Sequence, residues 1–157
     1  PVKVPLTFTH LLTKININLS VAEGTNDIAT DSLKKAVVSI VNTKPTVEFD
    51  PKSPRLGEVK GEASPVVAGT GPVTSVIVVP QDIPAGQGLI QVQLGRDKFL
   101  FSPSALLQLK SGEEHTYNIQ LNKPGIVVTS TITKWTKIGA VDGDALLQRE
   151  EETQTEP

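Results

Sequence analysis

Residues able to do chemistry are few in this chain, and their spacing is poor. The 157 residues include two histidines, His10 and His115, and no cysteine. A Cys nucleophile, a disulfide, Cys-ligated zinc and a three-His zinc centre are therefore excluded. His10 falls on the apolar phase of the first expected strand and reads as a core or rim histidine with a backbone hydrogen bond. His115 follows Glu113-Glu114 and reads as a solvated strand edge. Asp142-Gly143-Asp144 lacks the spacing of a calcium loop, so no metal site is expected. Ser32-Leu33-Lys34-Lys35 matches S-x-x-K by letters. Such a pair needs a helix, and Lys34-Lys35 is expected to enter a strand. Glu150, Glu151 and Glu152 read as solvated tail. There is no phosphate loop, no G-x-S-x-G and no H-E-x-x-H. No catalytic residue, metal ligand or cofactor is assigned, and the chain is not expected to be an enzyme.

Composition points the same way. Fifteen basic and seventeen acidic residues give a net charge of −2, and one Trp and one Tyr offer little stacking surface. Nucleic acid is therefore not an expected partner. No apolar run is long enough to span a bilayer as a helix. Val, Ile and Thr number 18, 11 and 16. Such β-branched side chains suit a pleated surface better than a helix. With 12 Gly and 12 Pro as punctuation, this composition predicts an all-β domain of about seven short strands, as a sandwich or a barrel.

The pattern along the chain supplies the elements. Leu6, Phe8, His10 and Leu12 alternate on even positions, while Ile15, Ile17, Leu19 and Val21 alternate on odd ones. A bulge or bend is expected near Thr13. Residues 22–32 read as a loop and 33–42 as a strand. Val47 and Phe49 read as the inward face of the next strand. Residues 51–72 read as a Pro- and Gly-rich excursion with one short edge strand, and 73–79 as a central strand. A hairpin is predicted around Gly95-Arg96-Asp97. Residues 104–109 read as one helical turn capped by Ser104 and closing at Gly112. Two further strands flank an Asn122-Lys123-Pro124-Gly125 turn. The expected core is Leu6, Phe8, Ile15, Ile17, Val38, Ile40, Phe49, Val76, Val78, Val92, Phe99, Tyr117, Ile119, Ile126 and Trp135. The folded domain is placed at 1–138, with 139–157 as a polar, acidic, disordered tail.

Four segments carry a resemblance: VPLTFTHLLTKININL (residues 4–19), VVPQDIPAGQGLIQVQLG (78–95), SGEEHTYNIQLNKPGIVV (111–128) and TITKW (131–135). In this order they resemble the C-terminal domain of the fimbrillin family, the type V pilins of Bacteroides-type bacteria. His115 departs from that pattern, where Tyr is usual. The resemblance implies a transthyretin-like, two-sheet antiparallel β-sandwich. It also implies a subunit of a cell-surface pilus, assembled by strand complementation and supporting adhesion. The partners implied are other pilin subunits and a host surface protein or glycan. The precursor implied is a lipoprotein of the outer membrane, anchored and trimmed at an Arg in an N-terminal domain not contained here. The polar tail lacks the ten alternating apolar residues of a donor strand, which favours a tip or accessory subunit. The competing reading is a surface lipoprotein domain that binds a glycan or host protein without polymerising. Asp31-Ser32-Leu33 resembles the D-[ST]-apolar signal for O-glycosylation in such bacteria, which makes Ser32 the one candidate modification site. The sequon Asn18-Leu19-Ser20 lies inside an expected strand and is read as chance.

Overall fold

The computed structural model describes residues 9–23, 28–122, 125–134 and 139–148. Among these, thirteen strands and one short 3-10 helix alternate with turns. The all-β expectation holds. The strand number exceeds seven because several strands are only three to five residues long.

The first strand, β1 (Thr13–Val21), begins where the apolar phase was expected to change, and Ile15 and Ile17 are fully buried. A 3-10 helix follows at Thr30–Lys35, where a loop and then a strand were expected. Three residues per turn bring Leu33 and Ala36 onto one face, and both are buried. The strand proper is β2 (Val37–Ile40).

Next come β3 (Thr46–Phe49) and β4 (Leu56–Lys60), which pair only with each other. The excursion thus holds β4 and also β5 (Val66–Thr70). Residues 73–79 were expected to be central. Instead β6 (Val73–Val78) ends the large sheet, with Val73 and Ile77 exposed. Its inward residues are Thr74 and Val78, with Val76 half-buried.

The segment read as a helical turn is a strand. β10 (Leu107–Leu109) pairs with β7 (Gln81–Ile83). Leu107 and Leu109 are buried while Gln108 is exposed, a period of two that suits a strand and not a helix. The expected hairpin is present as β8 (Ile90–Leu94) and β9 (Asp97–Pro103). Gly95, at φ 63°, supplies the left-handed turn residue. The last three strands are β11 (Glu113–Asn122), β12 (Gly125–Lys134) and β13 (Gly139–Gln148).

Nine strands form one sheet in the order β5-β2-β8-β9-β13-β12-β11-β1-β6. All its pairs are antiparallel except β1 with β11, which run parallel from Lys14↔Glu114 to Val21↔Leu121. This sheet is folded back on itself. Phe101 on β9 and Tyr117 on β11 are three strand positions apart, which in a flat sheet means about 14 Å. Their ring centroids are 5.3 Å apart. The halves β5-β2-β8-β9 and β12-β11-β1-β6 therefore face each other as the layers of a sandwich. A Cβ at Gly69 on β5 would stand 3.1 Å from the Thr74 methyl on β6, so the sheet's two ends also meet. No ladder joins them among the described residues, so the sandwich these form is not a closed barrel.

Of the expected core, Ile15, Ile17, Val38, Ile40, Val78, Val92, Phe99, Tyr117 and Ile119 are buried, and Val76 packs at the margin. Phe49 is 57% exposed, a correction explained by the β3–β4 ribbon, which among the described residues pairs only with itself and adds no residue to the core. Leu6, Phe8, Trp135 and the Ile126 side chain lie outside the described residues.

Candidate strand-complementation site

The feature most capable of function is the position of β13. It pairs with β12 from Gly125↔Leu146 to Ile132↔Gly139, and with β9 from Gly143↔Pro103 to Gln148↔Lys98. Among the described residues it is the only strand laddered to both halves of the large sheet. Removing it on paper leaves two four-stranded sheets with facing, unpaired inner edges. The tail expected from 139 is thus corrected: 139–148 is a strand, and 149–157, with Glu150, Glu151 and Glu152, lie outside the described residues. Asp142, Gly143 and Asp144 fall inside β13 and not in a loop.

Why a polar segment can fill such a slot is a matter of registration. Leu147 lies opposite Phe99 and Ala145 opposite Phe101, while Asp142 and Asp144 take the other phase. Backbone pairing on both edges satisfies the ladder whatever the side chains are. A strand held in this way needs no run of ten alternating apolar residues.

One strand beyond the slot, β11 carries an unexpected polar group. His115 was read as a solvated edge, but it is fully buried. β11 lies between β12 and β1, and the inward phase of Tyr117, Ile119 and Leu121 extends back to 115. The His115 and Glu113 side chains meet at 3.2 Å through Nε2 and a carboxylate oxygen. Burial holds the imidazole pKa below its ordinary value, and the Glu113 carboxylate opposes this in part. The Tyr117 ring stacks 6.4 Å away. Its hydroxyl, pushed above the usual phenol range by burial, has no hydrogen-bond partner among the described residues. The same is true of Ser130 Oγ, directly opposite Tyr117, and of His115 Nδ1. His10 is exposed, so the core reading of that histidine does not hold.

Ser32 lies in the 3-10 helix, half-buried, with its backbone N–H donating to the Ala29 carbonyl at 2.9 Å. Together with Asp31, Lys35, Gln93 and Asp97 it lines a surface cleft of about 770 Å³. Asp31 pairs with exposed Lys34 at 2.8 Å. The S-x-x-K letters do therefore sit on helical backbone, with Lys35 exposed at the cleft. Among the described residues, no three His, Asp or Glu side chains gather as a metal site. No helix there is long and apolar enough to cross a membrane.

A family model described as fimbrillin-like matches residues 1–135. No curated protein matches the chain. Two crystal structures share the fold, both of candidate cell adhesion proteins. That from Bacteroides uniformis is 23% identical, with a TM-score of 0.73 over 85% of this chain and 54% of its own. That from Bacteroides ovatus is 17% identical, with a TM-score of 0.55 over 89% of this chain and 47% of its own. The chain thus spans about half the length of the solved proteins it matches.

Proposed function

This chain belongs to the fimbrillin-like family, and on that premise we propose that it is a structural domain of a cell-surface pilus, in a tip or accessory subunit that supports adhesion. The observation that carries the role is the double pairing of β13 inside its own sheet. A shaft subunit must release a C-terminal strand to its neighbour. Here that segment is engaged at home, which supports a subunit that accepts a strand and does not donate one. The mechanism is backbone complementation, not catalysis. In this reading the accepting groove belongs to an N-terminal region beyond this chain, which would also carry any lipid anchor. The partners are other pilin subunits and, at the adhesive end, a host surface protein or glycan.

Immunogold labelling of native cells with an antibody to this domain tests the role. Gold confined to filament ends is expected. Gold along the shaft would overturn the tip reading, and gold on cells without filaments would favour a non-polymerising binding lipoprotein.

Ser32 is proposed as an O-glycosylation site. Its place on a surface helix at the rim of a cleft supports access by a transferase. Intact mass of protein from the native host should show a glycan that Ser32→Ala removes; an unmodified Ser32 ends the assignment.

A further inference from the structure

The two ends of the nine-stranded sheet are built differently. At one end, β5 is blunted: its pairing with β2 shifts register between Val38 and Ser39. A bulge of that kind twists an edge away from would-be partners. At the other end, β6 is regular and uncharged, reading V-T-S-V-I-V. Among the described residues its only ladder partner is β1.

The direction of its backbone groups follows from registration. Leu19 N–H donates to the Pro72 carbonyl at 2.7 Å, and the β1–β6 pairs continue that register from Asn18↔Val73. Alternate residues of an antiparallel strand point their N–H and C=O to opposite sides. Thr74, Val76 and Val78 therefore face β1, and Val73, Ser75 and Ile77 present theirs to the side away from β1, which β5 approaches at Gly69, next to Thr74. Val73 and Ile77 are 71% and 55% exposed. Edges of this type ordinarily carry a Lys, a Pro or a bulge. Here Pro72 falls on the phase that faces β1, so its missing N–H blocks nothing.

We propose that the β6 edge is a self-association site, where a second copy of this chain adds antiparallel across a twofold axis at Ser75. The sequence of the edge is what selects a second copy as occupant. With Ser75 opposite its own symmetry mate, Val73 meets Ile77 of the other copy, and Thr74 meets Val76. Every outward-facing residue finds an outward-facing partner, which gives six backbone hydrogen bonds across the axis. Apolar meets apolar on the exposed face. The ladder stops where it should, because the Gly71 N–H is already donated to the Ala36 carbonyl at 2.8 Å. Lys14, opposite Ile77 on β1, comes to lie across from Asn18 of the other copy, so no like charges are opposed. The buried area is that of one short strand, so the dimer is weak and concentration-dependent. This proposal is independent of the pilus assignment.

The absence of cysteine allows a register-specific test. At a hydrogen-bonded antiparallel pair the Cα atoms lie about 5.5 Å apart, inside the range a disulfide bridges. Val73 and its symmetry mate, four residues out of register, lie about 14 Å apart. Sedimentation velocity on the 157-residue chain should show a monomer–dimer equilibrium. Mild oxidation should cross-link Ser75→Cys into dimers and leave Val73→Cys monomeric. Ile77→Lys should weaken the dimer at least about tenfold with the melting temperature unchanged. The proposal is overturned by a chain that stays monomeric up to millimolar concentration. It is equally overturned by equal cross-linking of the two cysteine variants, or by a dimer indifferent to Ile77→Lys.

Discussion

Phe101 and Phe49 both lie on strands with an alternating pattern, yet one is fully buried and the other 57% exposed. Phe101 belongs to β9, inside a sheet that folds back so that its ring meets Tyr117 at 5.3 Å. Phe49 belongs to the β3–β4 ribbon, where it faces Leu56 across the strand pair, and among the described residues that ribbon takes no part in the core. Alternation reports that a segment is a strand with two unlike faces. It does not report whether anything lies against the apolar face.

This difference can be pushed hard by experiment. The largest effect is expected from deleting 139–148, which opens the slot between β9 and β12. Thermal scans should then lose their cooperative transition, whereas loss of the β3–β4 hairpin should leave one. Phe101→Ala should cost about 3–5 kcal/mol in denaturant unfolding, since the ring is buried and its site is walled by both layers. Tyr117→Phe should leave stability unchanged or raise it by up to about 1 kcal/mol, because it removes a buried hydroxyl with no partner among the described residues. Phe49→Ser should change stability by no more than about 0.5 kcal/mol, as for other surface sites. If Phe49→Ser cost as much as Phe101→Ala, the contrast between the two regions would collapse.

His115 gives the comparison a pH axis. Its folded pKa lies below the unfolded value of about 6.5, for reasons of burial. Between those two values the unfolded chain binds more protons than the folded one, so stability falls as pH drops below about 6.5. His115→Phe should flatten the stability profile between pH 7 and pH 5. At the half-buried Lys14–Glu114 pair, hydrogen bonds from Asn16 and Lys14 hold the Glu114 carboxyl below the usual carboxylate range. Its contribution is therefore lost only at lower pH, as Glu114 protonates.

Much of this architecture was legible in the residues. The odd-phase run from Ile15 to Val21, the hairpin at Gly95 and the paired strands around Asn122 are written in local alternation and turn chemistry. What was not legible depends on distant partners. Leu107-Gln108-Leu109 is too short to distinguish a strand from a turn until Gln81–Ile83 lies beside it. His115 looks like an edge residue until the parallel strand β1 covers β11. β13 looks like a tail because its side chains are mixed, while its place is set by two open backbone edges. The candidate site is in that last class, and nothing in the spacing of polar residues announces it.

Hydrogen exchange on the intact chain tests the central claim most directly. The amides of 139–148 should be protected to the same degree as those of β9 and β12, because they are laddered between them. Exchange of those amides at the rate of an unstructured peptide, with β9 and β12 still protected, would contradict the account: the C-terminal segment would then be available for donation, and the case for a subunit that only accepts a strand would fall with it.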